Sequence, residues 1–457
     1  MKLLLDKVIF AIILLSMVFT SCKKYLAAKP DDKLTVPTTL ADLQAILDFT
    51  NVMNIKTTPA GGSSASDDYF LIETTFNSLT EVSRNIYTWR LSDYYYPNDW
   101  SQSYSPVYNA NYCLEQIEKI KITDQTEQEW KNIKGSALFF RSYYFMHLLW
   151  NYSMAYDSVS YDKDKGIVLR LGSDFNVPSV RSSVKECYDR VIHDAKLAAM
   201  NLTGRAINTM RPSKAAAYGL LAKAYLSMRI YDSAFKYSNL CLQLNNDLID
   251  YNDDPDINGS IAADVPFKRF PKEVIFYSEM NTYYMVNSAS RAKIDTVLYS
   301  MYDTEDLRKI AFFRSSSGYQ RFKCIYTGSS TYYFTGIATD EMYLVRAECL
   351  ARAGDTQGAM ADLNALLVRR WKAGTFVPLT ASNPSEALKI ILIERRKELL
   401  MRGVRWMDIK RFNKENAVIT LKRMIAGQEY KLQPNDNYYA LPLPKDIIQA
   451  TGISQNE

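Results

Sequence analysis

The chain has 457 residues, 47% of them hydrophobic, with 55 basic and 50 acidic residues giving a net charge of +5. That length and composition support one large core or two ordinary ones and exclude a disordered chain. The cations are interspersed without basic blocks, which argues against a nucleic-acid surface. Tyrosine stands out at 33 residues against 2 histidines, and tyrosine offers a flat contact face with a polar tip.

The first element is not part of a fold. Lys2 and Lys7 precede an apolar run from Val8 to Phe19, broken only by Ser16, which is short for a membrane span and suited to the apolar part of a signal peptide. Residues 1–21 are therefore read as a signal peptide, 22–37 as a tether and 38–457 as a single domain. After the tether, Leu43, Ile46 and Leu47 fall at helical spacing in "TTLADLQAILDF". Asp67 and Asp68 sit in the Ser/Gly-rich "SSASDDYFL", where they could cap a helix, bind a cation or meet a ligand hydroxyl; capping is the reading preferred.

The stretch "SDYYYPNDWSQSY" divides at Pro97. Beyond it, Asp99 and Gln102 have capping-box spacing, and Trp100, Tyr104 and Tyr108 follow at helical intervals as expected core of the first long helix. Ahead of it, Tyr94, Tyr95 and Tyr96 cannot all face one core, because neighbouring side chains diverge. A second long helix carries Trp130, Ile133, Ala137, Phe140, Tyr144 and Leu148 on one stripe. Ser183 and Glu186 form a capping box for a third.

Two later stretches share a register: aligning Ala222 with Ala347 brings Ala234 onto Ala359 and Arg229 onto Gly354. Both read as helix, turn, helix with small residues at the crossing, the pattern of a tetratricopeptide repeat of roughly 34 residues. Helical pairs are expected at about 99–155, 183–245, 339–371 and 385–413, with a loop-rich insert at about 247–337 containing strand-like runs such as "EVIFYSEM". The expected fold is mainly α, a tetratricopeptide-like scaffold whose irregular face is built from the insert and residues 54–98.

Cys113, Cys187, Cys241, Cys324 and Cys349 show no paired spacing, so neither a disulfide framework nor a zinc site is expected. His147 and His193 fall inside helices, and no metal or cofactor pattern is found. Glu394 and Glu398 lie one turn apart beside Arg395, Arg405, Asp408 and Arg411. A carboxylate pair can serve acid–base chemistry, but cations this close favour an ion-pair network around the turn at Gly403, itself read as the residue ending the helix.

The blocks "SCKKYL", "DLQAIL", "DWSQSYSPVYNANYCLEQI", "DEMYLVRAECLARAGDTQGAMADLNALLVRR", "ILIERRKELLMRGVRWMDIKRFN" and "YALPLPKDIIQATGISQN" together resemble the SusD-like (SusD/RagB) outer-membrane lipoproteins, in content and in order. The resemblance implies a binding protein without catalytic activity, lipidated at Cys22 and anchored to the outer membrane facing outward. Lys23 and Lys24 follow Cys22, with acidic residues only at Asp31 and Asp32, a departure that bears on export to the outer face. Its implied partner is a SusC-like TonB-dependent transporter over which it sits as a lid, and its implied ligand a glycan, with a peptide as the alternative. The family's ligand loops fall before the first repeat helix and before the third repeat. The candidates there are Tyr94, Tyr95 and Tyr96 with Arg90, Asp93 and Asn98, and in the insert Asn281, Tyr283 and Tyr284.

Overall fold

The structure, a computed structural model, describes residues 37–456; Cys22 and the signal segment lie outside them. The helices that carry the scaffold are α1 (Leu40–Leu47), α2 (Asp99–Ile117), α3 (Glu127–Tyr152), α4 (Val184–Asn201), α5 (Lys214–Ser227), α6 (Tyr231–Leu244), α7 (Thr339–Arg352), α8 (Thr356–Leu367), α9 (Pro384–Glu398), α10 (Arg405–Asn413) and α11 (Lys445–Thr451). Among the described residues ten short strands pair two by two: β1 (Tyr69–Phe70) with β5 (Lys293–Ile294), β2 (Lys165–Val168) with β3 (Arg181–Ser183), β4 (Val274–Phe276) with β8 (Ile337–Ala338), β6 (Phe313–Ser316) with β7 (Tyr319–Phe322), and β9 (Leu421–Ile425) with β10 (Gln428–Leu432). All five pairs are antiparallel.

Consecutive helices from α2 to α7 pack side by side, with α8 and α9 both against α7. The alanines that set the repeat register, Ala222, Ala234, Ala347 and Ala359, are all fully buried where the paired helices approach. The turns match as well: Arg229 and Gly354 both take left-handed backbone, at φ of 63° and 93°. Glycine enters that region without penalty, whereas an L-residue such as arginine is strained there.

Several expectations need correction. Segment 183–245 holds three helices, and α4 packs along α3 as well as α5. Helix α3 is not amphipathic: every residue from Gly135 to Tyr152 is buried, because α2 and α4 flank it and α10 crosses its end. The pair at 385–413 is no hairpin; α9 stays with α7 while α10 turns inward against α3, α5 and the short helix Gly61–Ala65. Nor does Gly403 end α9. The helix stops at Glu398, capped by the Leu399 N–H on the Arg395 carbonyl, and Gly403 takes its φ of 75° in the turn that leads to α10. The capping box of α2 falls one residue early, on Asn98 and Ser101, since Asp99 is drawn inward by other partners. The Ser183–Glu186 box stands where it was read.

The helical array encloses a large core and a smaller one among α7, α8 and α9, and a further core is built mainly from residues 60–87 together with 249–338, including Tyr69, Tyr87, Tyr277, Phe312 and Phe334. Cys113, Cys187, Cys241, Cys324 and Cys349 are free and buried, and burial raises every one of these thiols, to about 12 for Cys113, Cys187 and Cys241. They serve as small apolar filler. Among the described residues no helix is long and apolar enough to cross a membrane, and no group of His, Cys, Asp and Glu is arranged to hold a metal ion. His147 is buried, its imidazole kept neutral by desolvation and by nearby Lys223.

Candidate ligand site

The charged block resolves into two buried clusters plus a clamp. Arg308 is fully buried and donates to Asp306 at 2.9 and 2.7 Å, to Glu394 at 2.6 Å and to Glu398 at 3.0 Å. Glu398 also accepts from Arg370, which reaches Glu273 at 2.8 Å. In the second cluster Asp408 bridges Arg395 and Arg411, and Arg411 forks onto Glu348 at 2.5 and 2.8 Å. Arg405 belongs to neither; it holds Asp67 by two bonds of 2.7 and 2.9 Å, while Arg396 binds Asp68 at 3.0 Å. Burial would raise the Asp67 carboxyl, but Arg405 and Arg396 outweigh it and hold the group well below the usual carboxylate range. Asp67 and Asp68 therefore cap no helix. They tie the loop ahead of β1 to α9 and α10, and a carboxylate pair neutralised this way is structural.

The two groups of tyrosines, about 190 positions apart in sequence, meet in space. Tyr94 is buried, its phenol donating to the Pro442 carbonyl at 2.6 Å, and its ring meets Tyr284 edge to face at 5.5 Å. The Tyr284 phenol donates to the Tyr95 carbonyl at 3.3 Å. On the other side α11 pins the loop: the Lys445 N–H donates to the Tyr94 carbonyl at 2.8 Å, the Tyr96 N–H to Asp446 at 3.2 Å, and the Lys445 ammonium pairs with Asp93 at 3.3 Å. With the backbone fixed at Tyr94, Tyr95 and Tyr96 are left turned outward, 48% and 69% exposed, and Tyr283, the residue before Tyr284, is 41% exposed.

The remaining candidates shape this platform from beneath or lie at its edge. Asn98 is fully buried with its side-chain oxygen capping α2, and Asn281 is buried with its side-chain oxygen accepting the Tyr283 N–H at 2.7 Å. The amide nitrogens of both are buried without a partner. Tyr94 is likewise a support, because its phenol is committed and its ring covered. Arg90 is exposed, its guanidinium 5.1 Å from the Tyr430 ring. Sequence reasoning missed Pro442, Lys445 and Asp446, the residues that fix the loop; nothing in "LPLPKDI" points to a site 350 positions earlier.

Below the platform Asp99 is buried. One carboxylate oxygen accepts from the Ala60 and Gly61 N–H groups at 2.8 Å each, and the other has no partner. It faces a small cavity of about 30 Å³ walled by Tyr94, Tyr152, Tyr284 and Tyr438. Desolvation pushes its carboxyl up to about 7 despite the two backbone N–H groups. No cation faces it, which is why burial prevails.

Tyr108 was expected in the core and is not. It is 38% exposed and its ring stacks on Phe175 at 5.1 Å and 19°. Phe175, an aromatic in the polar loop "GSDFNVP", was the signal available for this surface.

A family described as "Starch-binding associating with outer membrane" matches residues 24–226, and one described as "SusD family" matches 256–456. The chain belongs to the SusD family. Among solved structures similar to it are a SusD superfamily protein from Bacteroides thetaiotaomicron VPI-5482 (20% identity, TM-score 0.74, covering 92% of this chain and 100% of that one) and a protein described as a putative sugar binding protein from Bacteroides vulgatus ATCC 8482 (22%, 0.73, 92% and 99%). The surface glycan-binding protein A from Bacteroides fluxus is similar too, at 18% identity and a TM-score of 0.70, covering 92% and 99%. No curated protein sequence matches the chain. The SusD fold thus extends over both the helical array and the loop-rich face of this protein.

Proposed function

We propose that this SusD-family protein captures a glycan on the platform of Tyr95, Tyr96 and Tyr283. The observation that carries the reading is the outward presentation of three rings, from two distant segments, on a backbone fixed by Tyr94, Tyr284, Lys445 and Asp446. A sugar ring offers an apolar C–H face that stacks on an aromatic plane, and rigid support keeps the ordering cost of binding low. Arg90 and Asp93 at the edge supply hydrogen-bonding groups for hydroxyls. The sugar-binding and glycan-binding descriptions of two similar structures support the same ligand class.

The protein acts without catalysis, its buried carboxylates in the charged block being held by arginines. Anchored through a lipid on Cys22 to the outer face of the outer membrane, it passes its ligand to a SusC-like TonB-dependent transporter as a lid. The test is calorimetry over a panel of soluble polysaccharides, with Tyr95, Tyr96 and Tyr283 each changed to Ala. Binding of at least one glycan, weakened by these changes, is expected. A ligand found among peptides instead would refute the glycan reading, and failure to co-purify with a large β-barrel transporter in mild detergent would refute the lid.

A further inference from the structure

A cavity of about 660 Å³ opens between the segment from 49 to 52 that follows α1, helix α2, the loop from 170 to 179 and α11. That volume is in the range of small-molecule sites. Five aromatic residues line it: Phe49, Trp100, Tyr104, Tyr108 and Phe175. Trp100 and Tyr104 meet at 4.8 Å, and Tyr108 and Phe175 stack with Phe175 78% exposed. Val52, Val107, Val168 and Ile447 complete an apolar wall.

Most of the polar groups along this wall are already committed to the protein. The Tyr104 phenol donates to the Val168 carbonyl, and Arg170 donates to the Val177 carbonyl and the Ser179 hydroxyl. The Asn111 amide donates to the carbonyls of Arg170 and Gly172, and its oxygen accepts from Arg141. Asp174 accepts twice from Asn176. An occupant rich in hydroxyls would leave them unpartnered against these walls, at a cost that disfavours it. The uncommitted groups along the wall include the Tyr108 phenol, the Asn109 side-chain oxygen, the Trp100 indole N–H and one carboxylate oxygen of Asp174. The charged side chains lining the cavity, Arg170 and Asp174, are of opposite sign, which favours a neutral guest.

We propose that this cavity is a second binding site, taking a neutral aromatic ring that carries at most one or two polar substituents. The ring lies among Trp100, Tyr104 and the Tyr108–Phe175 stack, with its substituent directed to Asn109. The site is separate from the tyrosine platform: Ile447 and Thr451, one turn apart on α11, line the cavity, whereas Asp446 of the same helix holds the Tyr96 backbone. One short helix thus stands between the two. The aromatic ring is either a free molecule or a substituent on a sugar chain; the chemistry recognised is the same.

Titrating the purified full chain with 2-naphthol, 2-naphthyl β-glucoside and methyl β-glucoside, by calorimetry and tryptophan fluorescence, tests the site. Saturable binding of one naphthyl probe per chain is expected, with methyl β-glucoside failing to displace it. Ser105→Trp fills the cavity from an exposed position on α2, and Phe175→Ala removes an exposed ring; each should weaken naphthyl binding about tenfold or more. Tyr96→Ala should leave it unchanged, which separates this site from the platform. Binding of 2-naphthol alone identifies a free aromatic ligand, and binding of only the naphthyl glucoside identifies a sugar-borne one. The proposal is overturned if neither naphthyl probe binds saturably, or if both variants bind as the parent does while melting at the parent's temperature.

Discussion

Replacing Asp99 with Asn should stabilise the protein at neutral and alkaline pH and not at acid pH. In the folded chain the Asp99 carboxyl is buried, has no cation near it and is pushed up to about 7 from an ordinary 3.8. Its folded pKa lies above its unfolded one, so folding holds the proton: the contribution is fully present below pH 3.8 and is lost as pH rises toward 7. A difference of about three pH units corresponds to roughly 4 kcal/mol, taken as an upper figure. Asn copies the protonated acid. Its oxygen keeps the Ala60 and Gly61 N–H groups, and its amide nitrogen occupies the place of the unpartnered oxygen, facing the cavity that Tyr438 also lines, whose phenol is unpartnered too. Urea unfolding of parent and variant at pH steps from 4 to 8 measures the difference directly. It should grow in favour of Asn by a few kcal/mol across that range. Because Glu273 is pushed up to about 7 as well and is common to both proteins, only the difference is diagnostic. A constant difference across the range would refute the account of Asp99.

Arg308→Met should destabilise by about 3–5 kcal/mol in urea unfolding, since it removes the cation shared by Asp306, Glu394 and Glu398 and leaves three buried carboxylates to Lys397 and Arg370. Gly354→Ala should cost about 1 kcal/mol by the same assay: its φ is 93°, and an added Cβ would meet nothing within 4 Å, so the cost is backbone strain alone. Lys410 is buried on the carbonyls of Trp150 and Ser153, and desolvation pulls its ammonium down to about 7 from 10.5. Its folded pKa is depressed, so it makes the parent gain stability as pH rises from 7 toward 10.5; Lys410→Met should abolish that gain in unfolding measured at pH 7 and pH 9.5.

The scaffold was legible because close helix crossings need small residues at fixed offsets, and Ala222, Ala234, Ala347 and Ala359 supply them in one register. The ion-pair block was legible as charge density, but its partners were not. Arg405 meets Asp67 across 338 positions, and Arg308 comes from the insert, so periodicity along the chain carries no trace of either. The same limit governs the site. Three consecutive tyrosines announce that one at least must face outward, yet which one depends on where the Pro442 carbonyl and Tyr284 stand. Asn98 and Asn281 looked like ligand groups because polar side chains in loops do, and both are buried with their side-chain oxygens accepting the backbone N–H groups of Ser101 and Tyr283. Tyr108 sits at helical spacing behind Trp100 and Tyr104, but the packing partner at its position is the exposed Phe175, so spacing alone placed it in a core it does not enter.

The most direct test of the platform compares glycan affinity of the parent with Tyr95→Ala, Tyr96→Ala, Tyr283→Ala and, at the buried position, Tyr94→Phe. Each exposed ring that stacks on a sugar should be worth about 1 kcal/mol, or roughly fivefold in affinity. Tyr94→Phe keeps the ring against Tyr284 and loses the bonds of the buried phenol to Pro442 and Tyr152, so it should bind nearly as the parent does. Losses of that size at the exposed tyrosines, with Tyr94→Phe close to the parent, are the predicted result. A glycan that binds with unchanged affinity to all three alanine variants would contradict the platform as the site of capture.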